Sequence, residues 1–398
     1  MGVNEDSVKL HQKLHGKLSV KPKIKVKTRE DLSLAYTPGV AEVCREIKND
    51  PDQVYELTIK RNSVAVVSDG SAVLGLGNIG ASAAIPVMEG KALLFKEYAD
   101  IDAFPITVET QSAFEIISLV KNIAPVFGGI NLEDISAPRC FEIEQALQDI
   151  GIPVFHDDQH GTAIVILAAL INACKLTDKK LTDLKVVILG AGAAGTAIAN
   201  LLLCVGQDKK VCEPVREVIV VDSKGIINRS RPDLLNNSSK MRLAGITNRQ
   251  DTTGSLENAI VGADVFIGVS SGGKLPGRLI KKMAEKPVIL AMANPTPEIM
   301  PDEALKNGAY IVGTGRSDLP NQVNNVLAFP GVFRGALDAR AKIITSGMKI
   351  AAAFALAKST KNLSINNILP SPLDKSVPKQ IAKAVQKTYL TEQKLYNL

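Results

Sequence analysis

Val186-Val187-Ile188-Leu189-Gly190-Ala191-Gly192-Ala193-Ala194-Gly195 is the stretch that decides the fold. Four apolar residues deliver the chain into a G-x-G-x-x-G turn, and the alanine-rich run from Ala191 to Val205 follows as a helix. A buried strand, a glycine turn and a helix N-terminus rich in free amides are the parts that can hold a pyrophosphate. Outward from there, four more apolar runs recur: Val218–Val221, Val265–Val269, Val288–Ala291 and Tyr310–Val312. Runs without polar alternation imply strands covered on both faces. We read Lys185 to about Gly315 as a doubly wound parallel sheet, with Gly190, Gly192, Ala193, Ala194 and Gly195 around a nucleotide. The competing reading is a glycine-rich packing turn that holds none.

Asp222 ends the second of these strands. A carboxylate there accepts hydrogen bonds from a ribose diol and repels a 2′-phosphate, which favours NAD; Lys224 two residues on keeps NADP open. A second match, Gly75-Leu76-Gly77-Asn78-Ile79-Gly80, has Asp100 at the better spacing. The hydrophilic stretch 207–217 accounts for the longer spacing from Gly195 to Asp222. Val64–Ser68, Asp69-Gly70 and Ala72–Leu76 read as a hairpin before the second match, so we assign its glycines to backbone lining a cleft.

Around it lies a second α/β unit, with helices over Ala81–Lys96 and Ala113–Lys121 and strand ends at Ile130 and Val154–Phe155. From Gly331 the chain turns helical, over Ala336–Lys358 and Lys379–Tyr396, with Pro370-Ser371-Pro372 between. This tail is expected to pack back on the first half. The division drawn is a catalytic domain of residues 1–157 joined by 325–398, and a nucleotide domain of residues 158–324.

The chain has 398 residues, 45% apolar and 22% charged, which excludes a disordered or fibrous protein. No uninterrupted apolar run reaches the ~18 residues of a membrane span, so we expect a soluble protein. The net charge of +6 is local: eight basic residues and no acids lie between Ser7 and Arg29. Lys21, Lys23, Lys25 and Lys27 alternate with Pro22, Ile24 and Val26, as in a strand with one wet face. No aromatic interleaves to stack a base, so we expect neither a nucleic-acid nor a membrane partner. The N-terminus has no apolar secretory core. Five scattered cysteines suggest neither a disulfide framework nor a zinc ribbon, and a reducing cytoplasm suits them.

Two acidic pairs, Glu133-Asp134 and Asp157-Asp158, follow strands. The second could simply cap the helix Thr162–Cys174. If the two pairs converge, however, a cluster of roughly −3 forms, and such carboxylates repel unless a hard cation such as Mg²⁺ or Mn²⁺ joins them. His156 and His160 stand at zinc-like spacing, but no cysteine or third histidine completes a site, and Gly161 argues against a helix spanning both. Lys91 and Tyr36, taken singly, read as a solvated helix lysine and a turn aromatic.

Together these stretches resemble the malic enzymes, in particular their short bacterial and archaeal form. The matching segments run in family order: Leu34-Ala-Tyr-Thr-Pro-Gly-Val40, Val67-Ser-Asp-Gly70, Leu74 to Gly80, Pro86-Val-Met-Glu-Gly-Lys91, Gly129 to Asp134, Phe155 to Thr162, Gly190 to Gly195, Ala293-Asn-Pro295 and Asn321 to Leu327. The resemblance implies a Rossmann-type domain beside a second α/β catalytic domain with a helical C-terminal tail. It implies oxidative decarboxylation of L-malate to pyruvate and CO₂, a nicotinamide cofactor, Mg²⁺ or Mn²⁺, and a homodimer. By motif, Glu133, Asp134 and Asp158 would hold the metal, with Asp157 beside them. Lys91 would be the general base, and Tyr36 would protonate the enol. Asn294 and Asn324 would stand around the substrate carboxylate and the nicotinamide, with Asn325 as a neighbour. Larger eukaryotic relatives carry an arginine where this chain has Ala72, so other groups must anchor malate. Two rival readings are a redox-neutral malolactic decarboxylation with bound NAD, and a non-catalytic NAD-sensing protein.

Overall fold

The computed structural model describes residues 2–73, 75–206 and 212–396. Two parallel sheets organise it. Strands β1 (Ser63–Ser68), β2 (Asp102–Thr107), β3 (Gly129–Leu132) and β4 (Val154–His156) form the first, in the order β2-β1-β3-β4. Strands β5 (Lys185–Leu189), β6 (Glu217–Asp222), β7 (Gly225–Ile226), β8 (Val265–Gly268), β9 (Val288–Ala291) and β10 (Ile311–Thr314) form the second, in the order β10-β9-β8-β5-β6-β7. All pairings are parallel except β6 with the short β7. The five apolar runs are the five parallel strands of the second sheet, and their buried faces explain why no polar alternation was written into them.

The hairpin expected over Val64–Leu76 does not form. β1 is buried throughout and hydrogen-bonded on both edges, to β2 and to β3, so no edge is left for Ala72–Leu76. Only a single bridge, Val73 to Gly77, closes that turn; Leu74 lies outside the described residues. Lys21–Lys27 form no strand either: the segment has no partner edge and is exposed throughout.

Helix ends shift for local reasons. The helix after the glycine turn is Ala193–Leu202, shorter than the expected Ala191–Val205, and Cys204 has φ 53°. Cys204 is joined to Cys212 by a disulfide, against the expectation from cysteine spacing; Cys44, Cys140 and Cys174 are free. Of the stretch 207–217, residues 207–211 lie outside the described residues. The expected continuous Ala336–Lys358 helix is two helices, Phe329–Asp338 and Ser346–Lys358. Arg340 at φ 48° breaks it, and the Thr345 hydroxyl restarts it by accepting from the Met348 amide at 3.1 Å.

Asp157–Thr177 is one helix that includes both acids and Gly161. It is long and apolar enough to cross a membrane by length and composition, but 72% of its apolar window is buried inside the protein. It is a core helix. Gly161 is required there because a Cβ would lie 1.8 Å from Asp157 Oδ1. The tail packs back as expected. Phe329 and Phe333 meet Phe95 edge-on, with ring centroids 4.7 and 5.2 Å apart, and Phe333 meets Phe155 at 5.7 Å. Such pairs contribute about 0.5–1.5 kcal/mol each beyond area burial. They join the Ala81–Ala99 helix, β4 and the tail into one floor beneath the acidic residues.

Candidate active site

The two acidic pairs converge. Because β1, β3 and β4 are adjacent and parallel, their C-terminal ends open into one crevice, the usual ligand position for such sheets. Glu133 and Asp134 leave β3, while Asp157 and Asp158 begin the helix after β4. One carboxylate oxygen from each of Glu133, Asp134 and Asp158 lies within 4.8 Å of the others. Asp158 Oδ2 accepts from the Asp134 amide at 2.8 Å, and Glu133 Oε2 accepts from Asn131 Nδ2 at 2.7 Å. Asp134 has φ 54°, a left-handed conformation that aspartate tolerates better than most residues.

Lys91 comes down on this cluster from the Ala81–Ala99 helix. Its Nζ is 2.6 Å from Asp157 Oδ2, 2.8 Å from Glu133 Oε1 and 4.2 Å from the Phe329 ring centre. Lys91 is 7% exposed and Asp157 is 0% exposed, so this is no solvated helix lysine. Burial pushes Glu133 up to about 7, with Asp158 adding and Lys91 opposing. Burial likewise raises Asp157 to about 7 and Asp158 to about 6. Burial disfavours the Lys91 ammonium, but Asp157 and Glu133 outweigh it and hold its pKa above the ordinary lysine value. The lowered lysine pKa that a base requires is therefore not a property of this pair of carboxylates alone. Four acids against one cation give the cluster a charge of about −3 when all are ionised, and hard oxygen donors this close fit a divalent ion such as Mg²⁺ or Mn²⁺.

The two fingerprints meet the cleft differently. Gly190 (φ 127°) and Gly192 turn the chain into the helix that begins at Ala193, with Ala194 and Gly195 in its first turn. Gly75 (φ 74°) packs so closely on Asn294 that a Cβ would lie 2.3 Å from the Asn294 carbonyl oxygen. The Gly75–Gly80 fingerprint is thus backbone that lets the two sheets' loops approach each other. Asn294 follows β9 and is exposed; Asn324 Oδ1 accepts from the Val326 amide at 3.0 Å. Asn325 Cβ abuts Gly161, one turn past Asp157.

Two residues sit otherwise than their motifs implied. Asp222 is not free to receive a ribose: Arg231 Nη1 and Nη2 donate to its two oxygens at 2.8 and 3.1 Å, and Lys240 Nζ donates at 2.6 Å. The argument for NAD from a bare carboxylate loses its ground. Tyr36 is 68% exposed, at the end of the Arg29–Ala35 helix, and shares no hydrogen bond with the cluster among the described residues. Asp69 stood in a matching segment without an assigned role, and nothing in the sequence singled out Arg139. Asp69 is 1% exposed and accepts from Arg139 Nη2 at 2.8 Å, while the same nitrogen donates to Ser71 at 3.0 Å. A cation therefore lies beside the loop that carries Ala72.

A doubly wound nucleotide fold whose neighbouring sheet ends in a buried lysine and clustered acids has the layout of a nicotinamide-dependent oxidoreductase. The family description "Malic enzyme, N-terminal domain" matches residues 15–115, and "Malic enzyme, NAD binding domain" matches residues 159–390. The "Bifunctional malic/malolactic enzyme" of Bacillus subtilis is 54% identical over 97% of this chain and 93% of its own length. The "NAD-dependent malic enzyme" of Geobacillus stearothermophilus is 56% identical over 93% of this chain and 76% of its own. The crystal structure of an NAD-dependent malic enzyme from Thermotoga maritima superposes with a TM-score of 0.91 at 51% identity, covering 96% of this chain and 99% of that one. The chain belongs to the malic enzyme family and is an NAD(P)-dependent oxidoreductase.

Proposed function

We propose that this chain oxidatively decarboxylates L-malate to pyruvate and CO₂ with reduction of NAD or NADP, and that it depends on Mg²⁺ or Mn²⁺. The observation that carries the reading is the placement of the Lys91 amine against the one described cluster of three convergent metal-ligating carboxylates. Glu133, Asp134 and Asp158 would hold the ion, which when bound supplies Lewis-acid stabilisation for loss of the β-carboxylate. A divalent ion held by Glu133 would offset one of the charges that hold Lys91 protonated. Lys91 Nζ then accepts the proton of the malate C2 hydroxyl as hydride leaves C2 for the nicotinamide. Phe329 and the buried floor exclude water around the amine. Arg139, bonded to Asp69 and Ser71 beside Ala72, helps to hold a malate carboxylate in place of the missing arginine.

Tyr36 donates the proton to the enol carbon, and a second copy of the chain brings it there. No residue from 2 to 59 is buried, and Leu34, Val20 and Ile24 stand 78%, 90% and 60% exposed. An arm with so much open apolar surface, carrying an exposed tyrosine that makes no hydrogen bond to Lys91's cluster among the described residues, supports a homodimer with shared sites.

The name of the Bacillus relative favours a second activity, redox-neutral conversion to lactate on retained cofactor. An initial-rate assay with malate and Mn²⁺, run with NAD and with NADP while following absorbance at 340 nm and lactate together, separates them. Reduced cofactor accumulating with pyruvate supports the main reading; lactate with no net reduced cofactor supports the second.

A further inference from the structure

Glu144 lies on the Arg139–Ala146 helix, outside the cluster of Glu133, Asp134 and Asp158. Its carboxylate nevertheless binds both flanks of Asp157-Asp158. Oε1 accepts from the His156 amide at 2.9 Å; Oε2 accepts from Gln159 Nε2 at 3.2 Å and lies 2.9 Å from His160 Nε2. One carboxylate thus grips the residue before the pair and the two residues after it.

We infer that Glu144 is a positioning residue for the metal-ligating carboxylates, fixing the first turn of the Asp157–Thr177 helix so that Asp157 meets Lys91 and Asp158 meets the Asp134 amide. The need for it is physical. The helix start carries two acids facing Glu133, whose mutual repulsion pushes the turn outward, and the N-cap His156 makes no side-chain cap bond of its own. A third carboxylate, placed at the helix N-terminus and accepting three donors, resists that rotation. Glu144 can keep its charge in a site where its side chain is 12% exposed because its oxygens take the His156 amide, Gln159 and His160 as partners, with the Lys349 cation acting on it as well. Burial alone would raise its pKa, but His160, Lys349 and His156 outweigh burial and bring it down to about 2.

This inference rests on the metal reading above, and its test separates the two. Mn²⁺ binding is titrated by electron paramagnetic resonance of the free ion, with KM for NAD and the melting temperature measured alongside. Glu144→Gln keeps the volume but turns an amide toward three donors. It is expected to raise the Mn²⁺ Kd roughly tenfold or more, the range seen when groups supporting metal ligands are removed. KM for NAD should stay within about twofold, and saturating Mn²⁺ should recover most of the lost kcat/KM. His160→Ala, which deletes one donor and leaves the carboxylate, should raise Kd by a smaller factor and covers the case in which Glu144→Gln does not fold. A folded variant of either kind with Mn²⁺ Kd unchanged, or with Mn²⁺ and NAD weakened equally, overturns the inference alone. Wild-type protein that takes up no Mn²⁺ overturns the metal reading and this inference with it.

Discussion

Lys91 Nζ lies 2.6 Å from Asp157 Oδ2, a contact sealed from water at both ends. With Glu133 at 2.8 Å on its other side, the amine is tied down by two carboxylates and stays an ammonium until one is drawn away. Replacing it should separate chemistry from binding. Lys91→Met should lower kcat for NADH formation by roughly 10²–10⁴-fold, the usual range for a general base, with NAD binding retained. Stopped-flow absorbance at 340 nm checks it; a kcat within tenfold of wild type removes Lys91 from the proton transfer.

The acids predict a pH dependence of metal binding. Glu133 and Asp158 have pKa values raised to about 7 and about 6 from ordinary carboxylate values. A raised acid favours the folded state below its unfolded pKa, and that contribution is lost as pH rises through the folded value. The metal-free protein is thus strained by charge above about pH 7, where cation binding relieves it. Below that, protons compete with the ion. Calorimetric Mn²⁺ affinity should fall as pH drops from 8 to 6, with proton release measurable in buffers of different ionisation enthalpy. A flat profile would contradict the cluster as ligand.

Asp222 predicts a cofactor result that its sequence position did not. Held by Arg231 and Lys240, it cannot repel a 2′-phosphate as a bare carboxylate would. Both NAD and NADP should therefore support turnover. Asp222→Asn should lower stability by about 1.5–3 kcal/mol, the worth of hydrogen bonds to a charged group, because Arg231 keeps its bonds to Asp233 and Lys240 is partly exposed. It should not switch the enzyme to NADP. Urea unfolding and paired initial rates measure both; a clean gain of NADP selectivity in a stable variant would refute the account.

Tyr36 predicts complementation. If a second copy supplies the tyrosine, Lys91→Ala and Tyr36→Phe proteins, each inactive, should regain roughly a quarter of wild-type activity when unfolded and refolded together as mixed dimers. A mixture as inactive as its parts assigns Tyr36 to its own chain's site or to none.

How much of this was legible in the chain differs by element. Strand β5 and its glycine turn could be read because a buried parallel strand must be apolar throughout and a close turn must be glycine. β1 misled because a single sequence does not say that both its edges are taken, so the neighbouring Ala72–Leu76 looked like its partner. Glu133, Asp134 and Asp158 were found from strand ends and family motifs. Asp69 with Arg139, and Glu144 with His160, were not, since their partners are 16 to 70 residues away and only the sheet order brings them together. Asp222 was found at the right strand end, but Arg231 lies on a later loop and Lys240 on the Ser238–Ile246 helix, and nothing local announced that they would occupy it.

The claim that carries the rest is that Asp158 closes a metal site on which turnover depends. The direct measurement is bound Mn²⁺ per chain and malate-dependent NADH formation for wild type and Asp158→Asn across the same Mn²⁺ titration. The account predicts that wild-type activity rises with occupancy, while the variant binds Mn²⁺ at least tenfold more weakly and loses activity with NAD affinity intact. Equal Mn²⁺ binding and equal metal dependence in the two proteins would contradict it.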